Sequence, residues 1–511
     1  MGGFGPLNRV LGGVGRLRDA LIDPVRRERN ILLVLAVYTL LWTLYGVFAK
    51  GSQDVHPDMA ELVGWAREPS LGYAKHPPLA AWLVWLWFSI FPVADWSYYL
   101  LGALTASVAL WIIWRLCADY LAPDKRVLGL ALVTLIPFFG FHALKYNVNT
   151  LLIPLWAATT LCFLRSLERH DALWAALAGL FAGAAMLTKY WSIFLIGGLV
   201  IAAFADVRRL AYFRSAAPWI TIVVGALVIA PHLVWLVRND FMPFAYAAEV
   251  HGSKGLATTA YAAAGYLLGS IGYVAAPVVL ALIAARANRA VYADILWPDD
   301  AARRLVVVAF WAVLLLPIPG ALASGTEITS LWSMSAWTLL PIVLLAPPRL
   351  VIAPEQELRL IAIAIAFPIL LLLASPLIAI SVHRNGLPTE QTQGSLLAPA
   401  VERLWRETTD KPLRIVAGGL AYQVAFYAKD RPDAFPDFNA DGMPWLSAAR
   451  IRNDGLAIIC RADSQHCLSE AQTWIAKAPA GKRTEVTVAR KHAGIAGTPE
   501  RYVLIMVPPQ Q

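Results

Sequence analysis

Long apolar segments recur through most of this chain, separated by short polar loops. Eleven of them read as helices, at about 31–48, 96–116, 127–140, 148–165, 172–187, 191–206, 216–237, 262–285, 305–319, 331–346 and 360–380. A helix crossing the hydrocarbon core needs roughly 20 predominantly apolar residues. The pattern therefore predicts an all-α polytopic membrane domain of about eleven transmembrane helices over 31–380. A further apolar piece, 79–91, is short for a span, ends at Pro92 and adjoins a polar loop at 49–78. It reads as a helix leaning into the membrane interface. After residue 380 the pattern changes. Apolar runs at 413–417, 456–460 and 502–507 alternate with helix-like stretches at 398–406 and 469–476. That alternation predicts a small C-terminal α/β domain over 381–511.

Composition agrees. Of 511 residues, 58% are hydrophobic and only 15% charged, with mean hydropathy +0.57, where an ordinary soluble domain carries about a quarter charged residues. A net charge of +9 could suggest nucleic acid, but the basic residues lie in short loops beside apolar spans, where topology accounts for them. Arg16, Arg18, Arg26, Arg27 and Arg29 precede the first span; Lys125 and Arg126 follow the second, Arg165 and Arg169 the fourth, Arg208, Arg209 and Arg214 the sixth. Arg286, Arg289, Arg303 and Arg304 follow the eighth, and Arg349 and Arg359 the tenth. Every second loop is basic, which predicts a cytoplasmic N-terminal segment (1–30) and an outer C-terminal domain. No cleavable signal peptide, internal repeat or low-complexity block is expected. Cys117 and Cys162 lie in or beside spans as packing residues. Cys460 and Cys467 lie in the outer domain, where an oxidising compartment would allow a disulfide; spacing alone does not fix the Cα geometry.

The polar loop is where chemistry concentrates. It gathers Asp54, His56, Asp58, Glu61, Arg67, Glu68, Lys75 and His76, which is how a membrane enzyme would present reacting groups at the bilayer surface. Asp58 has a plainer reading, because Asp58-Met-Ala-Glu61 also fits a capping box opening a helix. Other motifs carry less. The glycines at 12, 13 and 15 do not form a dinucleotide fingerprint, Gly418-Gly419 reads as a turn, and Cys460, His466 and Cys467 lack a fourth ligand at zinc-finger spacing. Neither a nucleotide-sugar site nor an ATP site is evident.

An acid in the first outer loop, then Trp65-Ala-Arg67, then Gly72-Tyr-Ala-Lys-His-Pro-Pro-Leu79, resembles the lipid-linked-sugar-dependent glycosyltransferases of the GT-C class. More closely, it resembles the bacterial family 39 enzymes related to protein O-mannosyltransferases and lipid A aminoarabinose transferases. The resemblance extends through Lys145-Tyr-Asn-Val-Asn149, Leu187-Thr-Lys-Tyr190 and His251, and the topology agrees over 31–380. It implies transfer of a sugar from a polyprenyl phosphate to an acceptor hydroxyl, with Asp58 as general base, a task that suits a carboxylate. It implies that Lys189 contacts the donor phosphate, with Lys75, His251 and His76 as further candidates. Asp54, Glu61, Arg67, Tyr73, Lys145, Asn147 and Tyr190 are candidates for sugar or acceptor binding. Tyr190 could equally pack against the prenyl chain, and the asparagines could satisfy helix ends. The family usually has Asp-Glu where this chain has Asp58-Met59, and many members carry an acid where Lys75 stands, in some of them for a divalent metal. Lys75 cannot bind metal while charged, so no cofactor is expected, a divalent metal being the less favoured alternative, and Lys75 could instead neutralise the phosphate as a point charge.

The expected protein is thus a glycosyltransferase of a bacterial inner membrane, with its active site and C-terminal domain facing the periplasm. Its partners are a polyprenyl-phosphate sugar, a lipid, glycan or protein acceptor, and membrane lipids. The alternative is a lipid-linked-sugar transporter or flippase, which would distribute polar groups along a midplane path. Here the ionisable residues cluster at the outer ends of spans.

Overall fold

A computed structural model describes residues 6–253, 255–386, 393–440, 443, 445–476 and 481–510. Seven helices are long and apolar enough to cross a membrane: Arg27–Ala49, Asp95–Cys117, Val148–Arg169, Ala217–Arg238, Leu256–Ala284, Ala301–Ser324 and Pro354–Arg384. Seven of the eleven expected spans fall on these. The other four, 127–140, 172–187, 191–206 and 331–346, fall on shorter helical segments. The interfacial piece forms the helix Leu79–Ile90. The basic N-terminal segment holds a helix, Pro6–Ile22, which the sequence reading did not assign.

The chain forms two compact units whose limits do not follow a single cut in the sequence. The first comprises Met1–Thr43, Lys75–Pro77 and Leu100–Leu371. Small residues let its helices approach closely. A Cβ on Gly179, in Ala172–Met186, would stand 2.4 Å from the carbonyl oxygen of Thr221 in Ala217–Arg238, so only glycine fits this crossing. Asp171 opens the helix Ala172–Met186 by accepting from Leu173 N at 2.9 Å and Trp174 N at 3.1 Å, the expected satisfaction of orphan first-turn donors. That helix stops at Met186. The next, Ile193–Ala205, begins after a single 3₁₀ turn, Tyr190–Ser192. Lys189 occupies the break.

The second unit comprises Leu44–Ala74, Pro78–Tyr99 and Leu372–Gln511. Its α/β part contains β1 (Ile415–Ala417), β2 (Asp433–Phe435), β3 (Leu456–Arg461), β4 (Lys482–Val488), β5 (Lys491–His492), β6 (Ile495–Ala496) and β7 (Glu500–Val507). Five strands form one sheet in the order β2-β1-β3-β7-β4. β1 runs parallel to β2 and β3, while β3–β7 and β7–β4 are antiparallel. β5 and β6 form a separate hairpin. Leu397, Val401 and Trp405 from the helix Gly394–Thr408 fill one core with Val416, Ile459 and Leu504, and Ile415, Ile458, Val503 and Ile505 face another. The expected small α/β domain is therefore present. Cys460 and Cys467 are joined in a disulfide, and Cys117 and Cys162 are free and buried.

Within this second unit the polar loop is built onto the α/β part. The loop helix Pro57–Ala66 begins with proline at its first position and His56 as its cap. A Cβ on Gly64 would stand 2.7 Å from the Tyr422 ring, so the close packing of this helix on Ala421–Tyr427 requires a residue without a side chain.

Candidate active site

In the first unit the break at Lys189 carries a polar cluster. Lys189 Nζ donates to Asn149 Oδ1 at 2.9 Å and lies 4.4 Å from the centroid of the Trp332 ring. His251 meets the same ring edge to face at 5.1 Å, and its carbonyl accepts from Glu327 N at 2.8 Å. The structure thus brings Lys189, Asn149 and His251 around one indole. Burial, and then the charge of Lys189, hold the His251 imidazole below its ordinary value.

Tyr190 points elsewhere. Its hydroxyl pairs with His232 Nε2 at 2.8 Å, and its ring stacks on Phe244 at 4.7 Å. Lys75, half-buried, lies 5.4 Å from the centroid of the Tyr246 ring, on the same helix as His251, Met242–His251. His76 is also half-buried. Lys145 accepts through its carbonyl from Thr150 Oγ1 at 3.1 Å. The Asn147 side chain caps the helix Val148–Arg169, accepting from Asn149 N at 2.9 Å and Thr150 N at 3.3 Å. Three participants were not foreseen: Trp332, Tyr246 and His232. Only His232 carried a signal, as an ionisable residue inside an apolar span.

In the second unit Asp58 sits in the first turn of the loop helix, its side chain 46% exposed. The cap is His56, whose Nδ1 accepts from Asp58 N at 3.2 Å and lies 3.5 Å from Asp58 Oδ1. The capping-box reading of Asp58 is therefore corrected. The cap position falls two residues earlier because Pro57 starts the helix, which leaves the Asp58 carboxylate at the accessible N-terminal end, where a helix dipole favours an anion.

Several neighbours are committed to holding this helix. Asp54 is 3% exposed, pairs with Arg490, and accepts from Ser395 Oγ at 2.6 Å and Ser395 N at 3.2 Å. Val55 N donates to the Tyr427 hydroxyl at 2.9 Å, and that hydroxyl donates to Asp95 Oδ2 at 3.2 Å. Tyr98 Oη donates to the Met59 carbonyl at 2.9 Å. Arg67 donates to the Pro432 carbonyl at 2.8 Å and pairs with Asp433 at 3.3 Å. Tyr73 stacks on Trp65 at 5.1 Å and donates to the Trp65 and Glu68 carbonyls; burial pushes its phenol up to about 12. Glu61 is half-buried on the same helix. Asp54, Arg67 and Tyr73, expected as candidates for sugar or acceptor binding, thus have their polar atoms engaged inside the protein.

The chemistry available is a half-exposed carboxylate on a braced helix and, in the other unit, a half-buried cluster of a lysine, an asparagine and a histidine around an indole. The latter suits a phosphate. Ammonium groups offer no lone pair, so Lys75 and Lys189 are not ligands for a divalent ion, and among the described residues no group of three or more His, Cys, Asp or Glu side chains is gathered to hold one.

The chain is similar to known proteins in sequence and in fold. Residues 75–235 match the model of the dolichyl-phosphate-mannose-protein mannosyltransferase family. The chain is 24% identical over 321 residues to the lipid A galacturonosyltransferase RgtD of Rhizobium johnstonii, covering 62% of this chain and 66% of that protein. It is 26% identical over 215 residues to the lipopolysaccharide core galacturonosyltransferase RgtB of the same organism, covering 41% and 43%. The matches therefore span just under two thirds of the first relative and less than half of the second. In fold, the chain superposes on ArnT from Cupriavidus metallidurans bound to undecaprenyl phosphate, with TM-score 0.61 and 13% identity, over 94% of this chain and 99% of that one. The apo state of ArnT matches with the same TM-score and coverage at 14% identity. The chain is a multi-pass membrane protein with the ArnT fold, and its resemblance to the protein O-mannosyltransferases and lipid A aminoarabinose transferases of the GT-C class is borne out in sequence and in architecture.

Proposed function

We propose that this protein transfers a sugar from a polyprenyl phosphate to an envelope glycolipid of the lipid A or lipopolysaccharide-core kind. We place the reaction at the periplasmic face of a bacterial inner membrane. The observation that carries the reading is the cluster of Lys189, Asn149, His251 and Trp332 at a break between two short membrane helices. A fixed charge at that depth is expensive and marks a functional site. The Lys189 ammonium neutralises the phosphate and stabilises it as the leaving group. An apolar cavity of about 300 Å³, lined by Phe163, Met186, Ile196 and Ile229, is a place for part of the prenyl chain. Asp58 removes the acceptor hydroxyl proton as the new bond to the anomeric carbon forms. The disulfide between Cys460 and Cys467 supports an outer, oxidising location for the α/β domain.

The test is transfer by the purified full-length chain from a polyprenyl-phosphate sugar to lipid A, followed by mass spectrometry. Asp58→Asn keeps size and shape but removes the base, and is expected to slow transfer by about 10²–10⁴ with the protein still folded. Chelator is expected to leave the wild-type rate unchanged. A rate within a few-fold of wild type in the variant would reject Asp58 as the base.

A further inference from the structure

The second unit contains a cavity to which nothing above assigns an occupant. Its volume is about 730 Å³, within the range of small-molecule sites. The helix Arg27–Ala49 brings Val47 and then Lys50 to it at one end, and Asp95–Cys117 contributes Asp95 and Trp96 from its first turn. Both helices are long and apolar enough to span a membrane, so the cavity lies where spans meet water. Trp96, 44% exposed, sits at the level where tryptophan anchors at membrane interfaces. The ligand suited to this position belongs to a lipid, with its polar part in the cavity.

Charge narrows the chemistry. Arg490 lines the cavity, but its charge is met by Asp54, which Ser395 also holds. Lys429 and Arg431 also line the cavity, against Asp95, whose carboxylate accepts from the Tyr427 hydroxyl. Lys429 and Arg431 are exposed and take part in no ion pair among the described residues. The neighbouring carboxylates are turned to backbone donors: Glu402 accepts from Lys429 N and Asp430 N, and Asp430 from Leu413 N. The cavity is therefore net positive. Phe426 and Trp96 add flat apolar faces to its wall. Cations beside aromatic faces fit a sugar ring that carries a negative group.

We propose that this cavity receives the anionic saccharide headgroup, bearing phosphate or carboxylate, of the acceptor lipid. The assignment rests on the transferase reading above, and its test is a binding measurement that does not depend on transfer. Full-length protein in nanodiscs would be titrated with phosphorylated lipid A, with the same lipid after phosphatase treatment, with phosphatidylglycerol and with polyprenyl phosphate. The double variant Lys429→Glu/Arg431→Glu changes only exposed side chains, and an unchanged melting temperature would show that it folds. It is expected to weaken binding of phosphorylated lipid A at least about tenfold, most strongly at low ionic strength. Polyprenyl phosphate binding is expected to stay within about twofold, and Lys429→Arg/Arg431→Lys to keep most of the affinity. Unchanged affinity for phosphorylated lipid A, or an equal loss for the dephosphorylated lipid, would overturn the proposal. Equal binding and equal loss with phosphatidylglycerol would overturn it in favour of a general lipid contact. If transfer to lipid A fails while the charge-dependent binding persists, the transferase reading falls and the headgroup site stands.

Discussion

At the scale of single residues, Lys189 and His251 share one indole but are predicted to behave differently. Removing a charge-assisted contact costs about 1.5–3 kcal/mol, so Lys189→Ala is expected to weaken polyprenyl phosphate binding about ten- to a hundredfold by isothermal titration. His251 is held below its ordinary value, hence neutral at pH 7, and takes its proton only below the usual imidazole range near 6.5. A neutral imidazole brings no charge to a phosphate. His251→Gln is therefore expected to change donor affinity less than about threefold at pH 7. The wild type should gain on the variant only as pH falls past that lowered value. A wild-type advantage already present at pH 8 would contradict this. The sequence exposed Lys189, because a lysine between apolar runs stands out, and it exposed Asp58 through its surroundings. It did not expose Trp332, which reaches Lys189 from 143 positions away with nothing local to mark it, or the engagement of Asp54 by Ser395 and Arg490, which lie 341 and 436 positions away.

At the scale of elements, the loop helix Pro57–Ala66 is braced from both ends. The Tyr427 hydroxyl is the acceptor for Val55 N just before it, and Gly64 lets it lie against Tyr422. Tyr427→Phe removes the acceptor and leaves a backbone donor without its partner, at a cost of about 1–3 kcal/mol. Gly64→Val forces a branched side chain into a filled contact, at a cost of about 1–3 kcal/mol. Both variants are expected to lower the melting temperature in detergent and to raise amide exchange in residues 54–66; an unchanged exchange profile would show that the bracing is incidental. The elements themselves differ in how legible they were. Long apolar spans and the buried strands β3 and β7 stand out by hydrophobicity. β4 opens with two exposed residues and then alternates between half-buried and exposed ones, and β2 is three residues long, so neither offers an apolar run to find. The short helices at 172–186 and 190–205 were visible as two apolar segments, 172–187 and 191–206, parted by the lysine at their break.

At the scale of the whole molecule, the eleven helical segments and the disulfide make a prediction about sidedness. Reporter fusions after Arg126 and Arg209 are expected to report cytoplasm, and a fusion after Gly394 the periplasm. Under non-reducing conditions, tryptic peptides containing Cys460 and Cys467 are expected to run as one linked species that separates on reduction. A cytoplasmic signal after Gly394 together with two free thiols would reverse the orientation.

The discontinuous second unit has one more consequence, for the order of assembly. Its loop helix is synthesised early, yet the residues that brace it, from Ser395 to Arg490, are made several hundred residues later. At about 5–20 residues per second, the helix waits on the order of tens of seconds for its support. A nascent or truncated chain therefore holds its carboxylate on an unbraced segment until the residues from Ser395 to Arg490 have been made.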